Sequence, residues 1–173
     1  MSVIVEILPS AGPALIVGGG AIALRKARNL AEGEFEITVV APEVDPAVRQ
    51  LPFVTVIEGP FSPDHLDLRR FALVLACTND RAVNEDVGRL ARARRLPVLV
   101  ADAQEESTFF TPATIREGDL TIAVSTGGAS PSLAREVRER IIASLGPSWG
   151  RIAGLVRQER EQRDERRRAR QQG

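Results

Sequence analysis

The sequence predicts an α/β protein: a doubly wound parallel sheet, followed by a small α+β segment and a C-terminal helical region. Three observations carry this expectation. Short apolar stretches alternate with helix-like segments through most of residues 1–110, the rhythm of parallel strands with helices on both faces. A glycine run, Gly18-Gly19-Gly20, joins the first core stretch to the first helix-like segment. Beyond Asp102 the rhythm changes to polar, aromatic and glycine-rich pieces, and the chain ends in a charged helical stretch.

Val3 to Leu8 is apolar-rich and reads as a short edge strand, cut off by Pro9, Gly12 and Pro13. Ala14 to Val17 is the first core strand. Ala21, Ile22, Leu24, Ala27, Leu30 and Ala31 then recur at helical spacing, with Arg25, Lys26, Arg28 and Asn29 opposite and Gly33 closing the helix. Phe35 to Ala41 is rich in β-branched residues, so Ala14 to Ala41 makes a β-α-β unit of the length a mononucleotide fold requires. Pro46 to Gln50 reads as a short helix, Phe53 to Glu58 as a third strand, and Pro63 to Arg69 as a helical turn capped by Ser62. The continuous apolar run Phe71 to Cys77 suits a strand covered on both faces. A helix from Arg81 to Arg95 buries Val83, Val87, Leu90 and Ala91, and Pro97 leads into a fifth strand, Val98 to Ala101. The whole is a Rossmann-type sheet with right-handed crossovers.

Past Phe109-Phe110, Asp119 to Ser125 forms a further strand. Thr126 to Pro131 is a tight loop in which Ser130 caps and Pro131 starts a helix running to about Leu145, where Gly146-Pro147 stops it. A last helix starts near Ser148. Its apolar stripe, Trp149, Ile152, Ala153 and Val156, is lost from Arg157, and the remainder reads as a frayed, solvated helix end.

Composition narrows the function classes. Hydrophobic residues make up 43% and charged residues 27%, the balance of a soluble globular protein. With no apolar run of about 20 residues and no secretory signal pattern, no membrane association is expected, and a cytoplasmic location is. A single cysteine, Cys77, excludes an internal disulfide and a thiolate cluster, and a single histidine, His65, argues against a permanent histidine-rich metal centre. His65 is expected at the surface. Formal charge balances at 23 against 23, although Arg151 to Gly173 holds eight arginines against four acids. Because those acids are interleaved and no aromatic side chains accompany the arginines, nucleic-acid binding is not expected.

The glycine run carries the first chemistry. Read as GxGxxA it is Gly18, Gly20 and Ala23. Gly18 permits the sharp turn, Gly20 removes a side chain where a pyrophosphate approaches, and Ala23 allows close helix-to-strand packing. The N–H groups around Ala21, Ile22 and Ala23, with Gly19 beside them, then offer donors and a partial positive charge to the phosphates. An acid for the ribose hydroxyls is expected at the end of the second strand, but Val40 and Ala41 are apolar and the nearest acid is Glu43. Glu43 reads equally as a ribose contact and as a solvated loop carboxylate. No arginine follows the strand to meet a 2′-phosphate, which favours NAD over NADP. Thr78-Asn79-Asp80, at the end of the fourth strand, should reach the same crevice, while Asp80 also suits the cap of the next helix.

The succession of motifs resembles the siroheme synthase N-terminal family, the precorrin-2 dehydrogenases and bifunctional precorrin-2 dehydrogenase/sirohydrochlorin ferrochelatases. The resemblance covers roughly Pro13 to Pro147. It rests on Val17 to Ala27, Glu58-Gly59-Pro60-Phe61, Ala76 to Asp80 with Asn84, Asp102, Ser107-Thr108-Phe109 with Pro112, and Ile122 to Arg135. It implies NAD-dependent oxidation of precorrin-2 to sirohydrochlorin by a homodimer whose central segment exchanges contacts with its partner. On that reading residues 1–110 form the NAD-binding domain, 111–146 the dimerisation segment, and 147–173 a C-terminal helix with a charged tail.

The aspartate matching Asp102 is implicated in catalysis in such enzymes, and in bifunctional members also in iron insertion. A carboxylate fixed at a strand's carboxyl end suits a general base, and a turn-forming or capping aspartate is the plain alternative. For the many carboxylates of precorrin-2, Thr126, Gly127, Gly128 and Arg135 are suitable in type, and the family pattern adds Ser107. A dimer-interface loop and an exposed helix arginine are the alternatives there. Where relatives often have asparagine before the aspartate this chain has Leu99, and where they often have Cys-Ser before phenylalanine it has Ser107-Thr108. Dehydrogenation survives both departures. Ferrochelation, with Fe2+ as a substrate metal, stays open, because no strong iron ligand set is present. No methyltransferase module follows, so methylation is expected from another protein. A non-catalytic module that binds NAD or a tetrapyrrole is the competing reading.

Overall fold

The computed structural model of the chain describes residues 2–118, 120–145 and 149–171. Asp119, expected to open a strand, and Gly146, Pro147 and Ser148, expected to end one helix and begin the next, lie outside them. Two compact units are present, Val5–Phe110 and Thr111–Gly173 with Met1–Ile4.

The first unit is a five-stranded parallel sheet in the order β3-β2-β1-β4-β5. Its strands are β1 (Ala14–Val17), β2 (Ile37–Ala41), β3 (Val54–Glu58), β4 (Leu73–Ala76) and β5 (Val98–Val100). Val17 lies beside both Val40 and Ala76, so β1 is central. Every residue of β1, β2, β4 and β5 is buried, which is why these strands are apolar runs and not alternating ones. The α/β doubly wound expectation is borne out, with β1 spanning its whole apolar run and the other four strands one to three residues shorter than theirs.

Helix α1 (Ala21–Glu32) packs on one face through Ala23, Ala27 and Ala31, against Ile16, Val39 and Leu75. Alanines one turn apart let the helix backbone come close to the sheet. The expected stripe is therefore rotated: Ala21 and Ile22 are exposed, and Leu24 and Leu30 only flank the core. At its end Gly33 keeps φ −91°, and the left-handed residue is Glu34 at φ 59°. A short helix, α2 (Pro46–Arg49), follows β2, its first N–H groups capped by Asp45, whose Oδ1 accepts from Ala47 N at 2.8 Å. Helix α3 (Arg81–Ala93) covers the other face with Val87 and Ala91, against Leu15, Val74 and Val98. Its buried line is Asn84, Val87, Gly88 and Ala91, whereas Val83 and Leu90 lie at the margin.

Val3 to Leu8 forms no strand. Its backbone pairs with no sheet, and Val3, Val5 and Leu8 are exposed, so apolar content alone did not decide its state. Ser62 starts a 3-10 turn, Pro63–Asp67, in which His65 Nδ1 accepts from Ser62 N at 2.9 Å. That bond gives His65 a local structural task.

In the second unit β6 (Ala113–Glu117) pairs antiparallel with β7 (Leu120–Val124), Ile115 opposite Ile122. Helices α4 (Pro131–Leu145) and α5 (Trp149–Gln171) both contact this hairpin. Helix α5 does not end where its apolar stripe ends. Arginine, glutamate and glutamine are good helix formers, and Arg157 and Glu161 stand one turn apart, so the helix continues to Gln171. Among the described residues no helix is long and apolar enough to cross a membrane.

Candidate functional site

In an open parallel sheet the chain reverses its winding between β1 and β4, and ligands bind beyond the carboxyl ends of the strands at that point. A cleft of about 820 Å³ lies there in the first unit. Gly18, Gly19 and Gly20 line it from β1, Glu43 from the loop after β2, and Thr78, Asn79 and Asp80 from the loop after β4. The structure thus brings together seven of the ten residues expected to hold a cofactor. Ala21 and Ile22 stand on the first turn of α1 with their side chains exposed, and Ala23 faces the sheet.

The three glycines do different work. Gly18 has φ +117°, and a Cβ there would lie 2.5 Å from the carbonyl oxygen of Cys77. Both the turn and the closeness of β4 exclude a side chain. A Cβ on Gly19 would collide with the carbonyl oxygen of Glu43, whose loop is further tied by Asp45 N donating to Gly19 O at 2.8 Å. Around Gly20, by contrast, nothing lies within 4 Å of an added Cβ. Gly20 is the N-cap of α1, with no side-chain capping bond and no acid in the first turn. The opening N–H groups of α1 and its partial positive charge therefore face the cleft uncompensated, over a surface that any side chain would fill. A diphosphate fits this donor set.

The loop after β4 is firmly held. Asp80 Oδ1 accepts from Ala82 N at 2.9 Å and Val83 N at 3.3 Å, so the capping role of Asp80 is realised beside its place in the cleft wall. Cys77, buried beneath the same loop, is a free thiol pushed up to about 11 by burial and by the nearby Asp102 carboxylate, with Lys26 and Arg25 opposing. Burial likewise holds the Lys26 ammonium below its ordinary value. A neutral, buried thiol is a poor nucleophile. Native protein is therefore expected to react with a thiol-specific disulfide reagent at pH 8 at least about 100-fold more slowly than unfolded protein, as read by the absorbance of the released thiolate. In the folded state the thiol keeps its proton to higher pH than in the unfolded chain. Stability is accordingly lost as pH rises from 9.0 towards about 11.

Asp102 lies just past β5, outside the cleft wall. Arg81 Nη1 stands 3.6 Å from Asp102 Oδ1, and the same guanidinium also pairs with Glu106. Arg81 follows Asp80 directly, so Asp102 is tied to the first residue of α3, next to the cleft. Sequence reasoning missed Arg81, and only its adjacency to the Thr-Asn-Asp run signalled it. Ser107 is not brought to the cleft: its Oγ accepts from Val100 N at 2.9 Å, and Thr108 Oγ1 accepts from Val98 N at 2.8 Å. The two hydroxyls satisfy the outer edge of β5.

In the second unit Gly127 and Gly128 have φ +63° and +88°, so the loop after β7 needs them for its turn. Thr126 Oγ1 accepts from Ser130 N at 3.0 Å, closing that turn on itself. Arg135 is exposed on α4. Among the described residues no group of three or more His, Cys, Asp or Glu side chains comes together.

Residues 9–113 match the family model of putative NAD(P)-binding proteins. The chain belongs to the putative NAD(P)-binding family. Residues 117–144 of this NAD(P)-binding chain match a second model, the central segment of sirohaem biosynthesis proteins. The siroheme synthase of Pseudomonas entomophila is 44% identical over 149 residues, which are 84% of this chain and 32% of that protein. That of Methylobacillus flagellatus is 40% identical over 156 residues, 86% of this chain and 32% of the relative. The NAD(P)-binding chain thus spans about a third of the length of these curated relatives. Among solved structures, SirC, precorrin-2 dehydrogenase, superposes with a TM-score of 0.75 at 28% identity, over 90% of this chain and 78% of that one. The resemblance drawn from the motifs is borne out.

Proposed function

We propose that this chain oxidises precorrin-2 to sirohydrochlorin with NAD, as a cytoplasmic homodimer in tetrapyrrole biosynthesis. The observation that carries the proposal is the uncapped start of α1, opened by Gly20 onto the cleft, in a chain similar to siroheme synthases and to SirC. Bound NAD supplies the hydride acceptor. Gly18, Gly19 and Gly20 with the N–H groups of Ala21, Ile22 and Ala23 hold the diphosphate, and Glu43 reaches the adenine ribose. Among the described residues no lysine or arginine lines the cleft, which supports NAD over NADP. Thr78, Asn79 and Asp80 border the nicotinamide half.

Asp102 takes the proton that leaves as the substrate gives up its hydride, and Arg81 orients that carboxylate. Ser107, Thr126, Gly127, Gly128 and Arg135 belong to the tetrapyrrole side of the proposal. Residues 111–146 serve dimerisation, and 147–173 are the charged C-terminal region that carries α5. Exposed Leu133 and Ile142 on α4 support an interface role there.

Anaerobic incubation of the protein with precorrin-2 and NAD tests the proposal, with sirohydrochlorin and NADH followed by absorbance. Stoichiometric appearance of both, with NADP much slower, is the expected result. Tight binding of NAD or sirohydrochlorin with no turnover would establish the non-catalytic reading instead. Adding ferrous iron and sirohydrochlorin to the same preparation tests whether Fe2+ is a further substrate, inserted with help from Asp102.

A further inference from the structure

We propose that Asn84 is a positioning residue of the cleft: from inside α3 it clamps the main chain of Thr78, so that Thr78-Asn79-Asp80 crosses the cleft in one conformation and presents the Asn79 amide to the cofactor. This rests on the dinucleotide reading given above.

Asn84 is 0% exposed, on a helix face otherwise made of Val87, Gly88 and Ala91. Helix α3 needs no polar group there, and a buried amide without partners is costly. All three of its side-chain hydrogen bonds go to one residue. Asn84 Oδ1 accepts from Thr78 N at 3.0 Å and from Thr78 Oγ1 at 2.8 Å, and Asn84 Nδ2 donates to Thr78 O at 3.0 Å. Thr78 needs such a partner because it has left the sheet. Cys77 N still donates to Val17 O at 2.7 Å, but β4 itself ends at Ala76, and the next N–H and C=O would otherwise be orphaned.

The tie extends one step further. Asp80 N donates to Thr78 Oγ1 at 3.1 Å, and Asp80 in turn caps α3. The loop is thus fastened to the first turns of α3 at Thr78 and at Asp80. Between these points Asn79 is exposed in the cleft wall, and among the described residues its side chain has no protein partner. An amide held at a fixed place with its donor and acceptor unused is suited to a ribose hydroxyl or a carboxamide. Preorganising it spares the ordering cost on binding.

Fluorescence titration with NADH and hydrogen exchange of residues 78–80 test the proposal on the full chain. For Asn84→Ala the expected results are an NADH Kd and an NAD KM raised at least about tenfold, kcat within about twofold, and faster exchange at Asn79 and Asp80. Thr78→Val, which removes Oγ1 and so cuts the bridge to Asp80 and one of the Asn84 bonds while leaving every side chain of α3 in place, is expected to raise the Kd at least about threefold and speed the same exchange. It keeps the test open if Asn84→Ala does not fold. A lowered melting temperature with Kd and exchange unchanged would overturn the proposal, since that is what a purely structural asparagine predicts. Faster loop exchange in the variants of a wild-type protein that binds no NADH would uphold the clamp and overturn the dinucleotide reading.

Discussion

On the proposed function, Asp102→Ala is expected to lower NAD-dependent oxidation of precorrin-2 by about 100-fold or more, the usual cost of removing a positioned general base, while the Kd for NADH stays within about twofold of wild type. The separation follows from where Asp102 stands. It is absent from the wall of the glycine cleft and is joined to Arg81 at 3.6 Å, so its loss leaves Gly18, Gly19, Gly20 and the start of α1 in place. Arg81 retains Glu106 as a partner, so the guanidinium is not stranded and the fold should tolerate the change. Single-turnover absorbance under anaerobic conditions, beside an NADH titration, makes the comparison. Full turnover by the variant would remove Asp102 from the chemistry.

The second large effect distinguishes two glycines only two residues apart. Gly18→Ala places a Cβ 2.5 Å from the carbonyl oxygen of Cys77 at φ +117°, combining backbone strain with overpacking, so a loss of about 3 kcal/mol of stability is expected. Gly20→Ala adds a methyl group to open space and an ordinary helix cap at φ −88°. Its melting temperature should change little, yet NADH affinity should fall by about tenfold or more, because that open space is where the proposed site would seat the diphosphate. Thermal unfolding and NADH titration of both variants decide it. Unchanged affinity in a stable Gly20→Ala protein would mean that the cradle holds no phosphate.

The sheet was legible in the sequence because strands covered on both faces must be apolar throughout, as Leu73–Ala76 and Ile37–Ala41 are. Helix faces were read less well. Hydrophobic periodicity put Ala21, Ile22, Leu24 and Leu30 on the α1 stripe beside Ala27 and Ala31, but closeness to the sheet selects the smallest residues, and the packed face is Ala27 and Ala31 with Ala23. The same bias hid Asn84 and Gly88 on α3, since a polar residue and a glycine register as the solvent side of any stripe. Pairing was the other blind spot. Val3 to Leu8 has strand composition without a partner, while Ser107 and Thr108 bond to the edge of β5, and neither fact is local to the segment concerned. The glycine loop and Asp102 were legible as types, while the Arg81 link between α3 and β5 needed the fold.

The contact between Gly19 and the main chain of Glu43 has a bearing on how this protein can change. It is a backbone path, not a side chain, that presses on the glycine, and Asp45 N donating to Gly19 O fastens the same path two residues on. Substitutions at position 43 can therefore drift without disturbing the turn beneath. Insertions or deletions between β2 and α2 have no such freedom, because a chain of any other length would pull on Gly19 itself. Along this rim the packing tolerates a change of side chain and resists a change of length.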